Sequence, residues 1–215
     1  MTYLEIVNRV LRRLRENEVS SVQETPYSKL IGDLVNVVKR EVEDAWDWSA
    51  LRTTLSATTT ATLFNYVLTG STTRIRVIEM LNDTKNHFMQ QRSTRWFDEQ
   101  FLIAGGSTQT GDPYYYNFNG VDANGDSQVD FFPIPDGVYE IRINCVIPQA
   151  ELSANTDVIK VPALLVIEGA IARAISERGD DGGYTEQEAR YRNMASDYIA
   201  AESNLRLDEV TWRPC

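Results

Sequence analysis

The chain has 215 residues, 42% of them hydrophobic, and 31 acidic against 21 basic side chains give a formal net charge of −10. That length buries one good core, or a compact domain carrying a smaller inserted one, but not two large domains. The charge excludes a protein that grips nucleic acid through a broad basic face, and two cysteines, Cys145 and Cys215, exclude a disulfide framework or a cysteine zinc site.

Leu4, Val7, Val10, Leu11 and Leu14 recur at helical spacing, with Arg9, Arg12, Arg13 and Arg15 on the other face, which predicts a first amphipathic helix. Thr25-Pro26 opens a second: Thr supplies the capping oxygen and Pro takes the tolerated first position. Its stripe is Tyr27, Leu30, Ile31, Leu34, Val38, Val42 and Trp46, and its end lies near Trp46-Asp47-Trp48. From Leu51 to Pro148 the composition shifts to Thr, Tyr, Phe, Val and Gly in short alternating runs. Strands are predicted over Arg52 to Leu55, Thr62 to Leu68, Arg74 to Leu81, Asn86 to Gln90, Tyr114 to Asn119, Gln128 to Phe132 and Val138 to Ile147. A short helix over Thr94 to Ile103 interrupts them, packing Trp96, Phe97, Phe101 and Leu102.

Helical pattern returns at Val161-Pro162, where Leu164, Leu165, Ile167, Ala170, Ile171, Ala174 and Ile175 predict a helix covered on most sides. After a turn over Gly179 to Gly183, a capping box of Thr185 and Glu188 opens a fourth helix carried by Tyr191, Met194, Ala195, Tyr198, Ile199 and Leu205. The order implies an α+β fold: a four-helix bundle formed by the N- and C-terminal helix pairs, with an inserted antiparallel β domain, sandwich or barrel-like. The expected boundaries are 1–50 and 151–205 for the two halves of the bundle, 51–150 for the β domain and 206–215 for a short tail. No apolar run exceeds Ala163 to Ile167, so neither a signal peptide nor a membrane span is predicted, and synthesis is expected in the cytosol.

A nucleophilic triad needs a base, and His87 is the only histidine; a half-exposed strand residue is the expectation for it. Phosphate-cradling glycine loops, paired zinc histidines and cysteine pairs are absent, so no catalytic, cofactor-binding or metal-binding residue is assigned. Gly105-Gly106-Ser107 reads as a flexible connection. Glu41, Glu43, Asp44 and Asp47 could form an acid pair, but Lys39 and Arg40 stand four residues before Glu43 and Asp44, so exposed ion pairs on a solvated face are expected. Asp122 to Asp130 alternates oxygen side chains as a calcium loop does. Its glycine comes too early and Pro133 stands where a bidentate Glu belongs, so an Asn-Gly hairpin turn is expected. Glu168 stands alone in an apolar helix and must be solvated or paired. It is either a thin polar edge or a contact with an arginine of helix one or of a neighbouring subunit. Tyr114-Tyr115-Tyr116 and Phe131-Phe132 could stack on bases or sugars, but core packing or a protein interface suits an acidic chain better.

Gly111-Asp112-Pro113-Tyr114-Tyr115-Tyr116, the strand Val129 to Phe132, Pro133-Ile134-Pro135-Asp136-Gly137 and the strand Val138 to Val146 together resemble the β-domain signature of phage head-to-tail adaptors, the tail tubular protein A or gatekeeper type of short-tailed phages. Trp46-Asp47-Trp48, Val161-Pro162-Ala163-Leu164-Leu165 and the return to two helices are also similar to that family. The resemblance implies a structural virion protein of the head-tail neck, made in the host bacterial cytoplasm, and not an enzyme. It implies a homo-oligomeric, dodecameric ring between the portal protein and the tail nozzle protein, whose channel passes DNA without sequence-specific binding, and no membrane partner. It also implies portal docking by the C-terminal segment; the packing residues of that segment make Leu207 and Trp212 the expected anchors and Arg213 the partner of an acidic portal residue, against the plainer reading of a disordered terminus. Two other readings fit the residues: another phage neck or tail-completion subunit, and a calcium- or glycan-binding β module. An acid-pair hydrolase using Glu43 and Asp47 is a third.

Overall fold

The structure, a computed structural model, describes residues 1–72, 74–103, 108–179 and 181–203. The fold is mixed α+β, and the chain divides into two compact units, Met1–Leu51 with Gln149–Cys215, and Arg52–Pro148.

The first unit is helical. Helix α1 (Tyr3–Arg13) starts at a capping box in which Thr2 Oγ1 accepts from Glu5 N while the Glu5 carboxylate accepts from Thr2 N. Helix α2 (Pro26–Ala45) starts at Thr25, whose Oγ1 accepts from Ser28 N at 3.0 Å. Its last turn is closed by Trp48, whose indole N–H donates to Val42 O at 2.6 Å. Helix α3 (Thr94–Asp98) belongs to the other unit; α4 (Ala163–Glu177) and α5 (Asp181–Ser203) complete the first. Helix α4 packs against α1, α2 and α5, and α1 packs against α2. From Leu165 to Ala172 every residue of α4 is buried, as its nearly all-apolar sequence requires. Close approach is built in at Gly169, where an added Cβ would lie 2.6 Å from Val38 Cγ1 and 2.8 Å from the Tyr191 ring.

The second unit is built from strands. In chain order these are β1 (Arg52–Thr58), β2 (Asn65–Val67), β3 (Arg76–Asn82), β4 (His87–Phe88), β5 (Gln90–Gln91) and β6 (Thr110–Gly111). They continue as β7 (Tyr115–Val121), β8 (Ser127–Phe132), β9 (Ile134–Pro135) and β10 (Glu140–Val146). One four-stranded sheet has the order β1-β10-β3-β4 and a second has β2-β8-β7-β5. Met80, Ile141, Ile143 and Cys145 of the first sheet share one hydrophobic cluster with Tyr66, Tyr116, Val129 and Phe131 of the second. Alternation along β10 explains the arrangement, with Ile141, Ile143 and Cys145 buried and Glu140 and Arg142 exposed. The opposite face of β8 is covered by rings: Phe132 lies 5.3 Å from Trp96 and 5.7 Å from Phe101 between ring centres, so the segment Thr94 to Phe101 serves as an aromatic cover.

Three sequence expectations change. Helix α5 begins at Asp181, so Thr185 and Glu188 lie inside it and do not form an N-terminal capping box. Two glycines at its start, each costing roughly 1 kcal/mol in a helix, do not stop a segment that packs along α4. The β domain is not wholly antiparallel, because β5 pairs with β7 and β6 with β9 in parallel. The predicted strand Asn86 to Gln90 splits into β4 and β5, each in a different sheet, and Met89 between them is buried in the shared core.

Candidate functional site

The titratable side chains that sequence reasoning marked as chemistry are held by neighbours in ways that define structure. Lys39 and Glu43, expected on a solvated face, are both buried: Lys39 Nζ donates to Glu43 Oε1 at 3.0 Å and to Gln149 O at 2.7 Å, and Gln149 N donates to Glu43 Oε1 at 3.3 Å. This pair belongs to the core, and the reason lies in the stripe: Ile31, Val35, Val38 and Val42 turn the same side of α2 inward, and Lys39 and Glu43 go with them. A lysine on the inward stripe with a glutamate four residues on was the available signal. Arg40 pairs with Glu151 and Glu41 with Arg173, both at the surface.

Glu168 is 8% exposed on α4 and is held by α5: Arg190 Nη2 lies 3.2 Å from Oε1, and Gln187 Nε2 donates to Oε2 at 2.5 Å. Arg178, just past α4, was not singled out from sequence. Its guanidinium donates to Tyr27 Oη at 2.8 Å, to Glu16 at 2.6 Å and to Leu14 O at 3.3 Å, tying three segments of the helical unit.

In the β unit, His87 stacks on Tyr114 with ring centres 4.0 Å apart, and its Nε2, 2.9 Å from Pro113 O, must be the donor to that carbonyl. The oxygens of the calcium-like segment accept backbone amides: Asp122 Oδ1 takes Asn124 N and Asp126 N, each at 2.8 Å, and Asp126 Oδ1 takes Gly70 N and Thr72 N. Gly125 has φ of +85°, which suits a residue without Cβ, and the segment is a hairpin turn between β7 and β8. Most of the aromatic runs are packed inward, with Tyr116, Phe131 and Phe132 buried and Tyr115 beneath Trp96 and Arg92, while Tyr114 is exposed and stacks on His87. Cys145 is a buried free thiol whose pKa is raised by burial, which leaves it a poor nucleophile. No group of three or more metal-binding side chains occurs among the described residues.

What the helical unit offers outward is surface. One groove of about 480 Å³ runs between α1 and α4, lined by Arg9, Arg12, Arg13, Leu164, Ile167 and Ile171, with Glu168 at its side. Another of about 340 Å³ lies along α2 and is lined by Asp33, Val37, Arg40, Glu41, Asp44 and Glu151.

The family described as SU10 adaptor protein matches the chain over residues 1–214. The chain belongs to that family. It is thus a phage adaptor, a structural component of the virion, and an adaptor's work is done by surfaces, not by a catalytic pocket. No curated protein matches the chain. Among the described residues no helix of this adaptor is long and apolar enough to cross a membrane. Of the residues expected to make its contacts, Glu168 lies in α4 as described, while Leu207, Trp212 and Arg213 lie outside the described residues.

Proposed function

We propose that this adaptor is the head-to-tail connector of a short-tailed phage, a dodecameric ring seated below the portal protein that joins the capsid to the tail nozzle protein and lines the channel through which DNA leaves. The observation that carries the reading is the family match, which spans both units and nearly the whole chain. The structure is compatible in kind: α1, α2, α4 and α5 serve as a four-helix bundle that supports the ring, and the β unit supplies further surface. The net charge of −10, multiplied around a ring, gives a lumen from which DNA phosphate is repelled, so DNA slides and does not stick. In this reading residues 206–215 dock on the portal, with Leu207 and Trp212 buried in its surface and Arg213 paired to one of its carboxylates.

Native mass spectrometry of the portal ring of the same virus, alone and mixed with this protein, tests the proposal. The expected product is a portal carrying a full added ring, and deletion of residues 206–215 abolishes it. An intact portal that takes up no copies excludes the connector role; a truncated protein that binds as well as the full chain removes the tail from it.

A further inference from the structure

The sequence holds two Asn-Gly dipeptides a few residues apart, Asn119-Gly120 and Asn124-Gly125. An Asn-Gly pair is open to one spontaneous reaction. The glycine backbone nitrogen, once it has lost its proton, attacks Cγ of the asparagine side chain. A new C–N bond closes a succinimide ring, the bond from Cγ to the side-chain nitrogen breaks, and ammonia leaves. Water then opens the ring at either of its two carbonyls and leaves aspartate or isoaspartate. Glycine favours the step because it has no Cβ to obstruct the approach and adopts freely the backbone angles that the ring needs. By sequence the two sites are equal, but by structure they are not.

Asn124 is clamped. Its nucleophile, Gly125 N, donates to Asp122 O at 3.1 Å, and its leaving group, Asn124 Nδ2, donates to Asp122 Oδ2 at 3.3 Å. Asn124 N is also held, donating to Asp122 Oδ1 at 2.8 Å. Ring closure has to break the first two bonds, and the Asp122 carboxylate beside them disfavours a negatively charged nitrogen. Asn119 and Gly120 are both exposed, near the end of β7. Phe118 pairs with Val129 and Val121 with Ser127, so the two residues form a bulge opposite Gln128 and stand outside the residue-for-residue ladder. Among the described residues the Asn119 side chain has no hydrogen-bond partner. Gly120 has φ of +99°, and nothing lies within 4 Å of the place a Cβ would take, which leaves room for the ring.

We propose that Asn119 is a site of spontaneous deamidation in this adaptor, and that Asp122 holds Asn124 back from the same reaction. The product carries one more negative charge per copy, and isoaspartate adds a backbone atom to β7 where the ladder is already open. The inference does not depend on the ring.

Peptide mapping by mass spectrometry of the full chain, aged in mildly alkaline buffer, tests it. Asn119 should convert ahead of Asn124 by on the order of ten- to a hundredfold, the factor that two hydrogen bonds of ordinary net strength supply. In urea, where only sequence counts, the two should convert at similar rates. Asp122→Ala should bring Asn124 up towards the rate of Asn119 and leave Asn119 unchanged, which also shows that β7 and β8 remain paired. Asn119→Gln should remove the early product and its added charge on native electrophoresis. Equal rates at the two sites in the folded protein overturn the inference, as does an Asn119 no faster than asparagines without a following glycine. Rates as unequal in urea as in the folded chain would assign the difference to sequence and overturn it too. An Asp122→Ala variant that leaves Asn124 as slow as in the wild type, or that speeds both sites alike, removes Asp122 as the guard.

Discussion

The buried polar groups of the helical unit include ions, Lys39, Glu43 and Glu168, whereas those of the β unit are mainly hydroxyls and amides, Thr59, Ser71, Asn82, Asn117 and Ser127, with Asp130 the buried carboxylate among them. The backbone explains the difference. Helices satisfy their own N–H and C=O groups, so a polar side chain caught between them must find another side chain or a connecting segment, and Lys39 finds Glu43 and Gln149. The β unit has many short strands and turns whose amides need partners. Thr59 Oγ1 therefore accepts from Tyr139 N at 2.8 Å and donates to Gly137 O at 3.0 Å, and Ser71 Oγ accepts from Ser127 N at 2.8 Å. One unit is specified by paired charge within and between its helices, the other by side chains that complete its turns.

The comparison breaks first at the buried pair. Lys39→Met leaves the Glu43 carboxylate buried without its counter-charge, held only by the Gln149 amide, and should cost about 3–5 kcal/mol in urea unfolding, while Lys39→Met with Glu43→Leu recovers most of the loss. Hydrogen exchange would rise in α2 and α4 more than in β8 and β10. A single variant as stable as wild type would show that the pair does not organise the unit. Next comes the β counterpart. Thr59→Val keeps the shape but strands Tyr139 N and Gly137 O, for an expected loss of about 1–3 kcal/mol by thermal or urea unfolding.

Glu168→Gln is a milder change, because Gln187 can still be bonded and Arg190 is 53% exposed; we expect at most about 1 kcal/mol in the same measurement. The smallest effect is alkaline. Tyr3 in the helical unit and Tyr139 in the β unit both have pKa values raised to about 12, Tyr3 chiefly by burial and Tyr139 by its hydrogen bond to Asp136. A raised folded pKa means that the native state holds the proton more tightly than the unfolded chain. Their contributions are therefore full below pH 10 and are lost as pH rises towards 12. Tyr3→Phe and Tyr139→Phe should each flatten stability against pH in that window, and an unchanged slope in both would refute the assignment.

Where several signals agree, the elements were legible in sequence. Thr25-Pro26 and the stripe through Val42 located α2, and the aromatic segment from Thr94 located the cover of β8. Spacing says which residues share a face but not what covers that face. Hence Lys39 was placed in solvent, although it lies with Val35, Val38 and Val42 on the side that other segments bury. The same limit hid the partners of Glu168, since Arg190 and Gln187 follow it by about twenty residues and meet it only once α5 lies along α4. Parallel pairs such as β5 with β7 involve two residues each, too few to leave a pattern. Of the grooves on the helical unit, the arginine face of α1 is visible as a stripe, but the groove needs α4 beside it, and the groove along α2 needs Glu151, far along the chain.

Cryo-electron microscopy of the neck of the assembled virion is the most direct test of the connector role. The account predicts density for this chain as a closed ring immediately below the portal, with its C-terminal segments reaching the portal surface. Density for the chain elsewhere in the tail, or as isolated copies that close no ring, would contradict it.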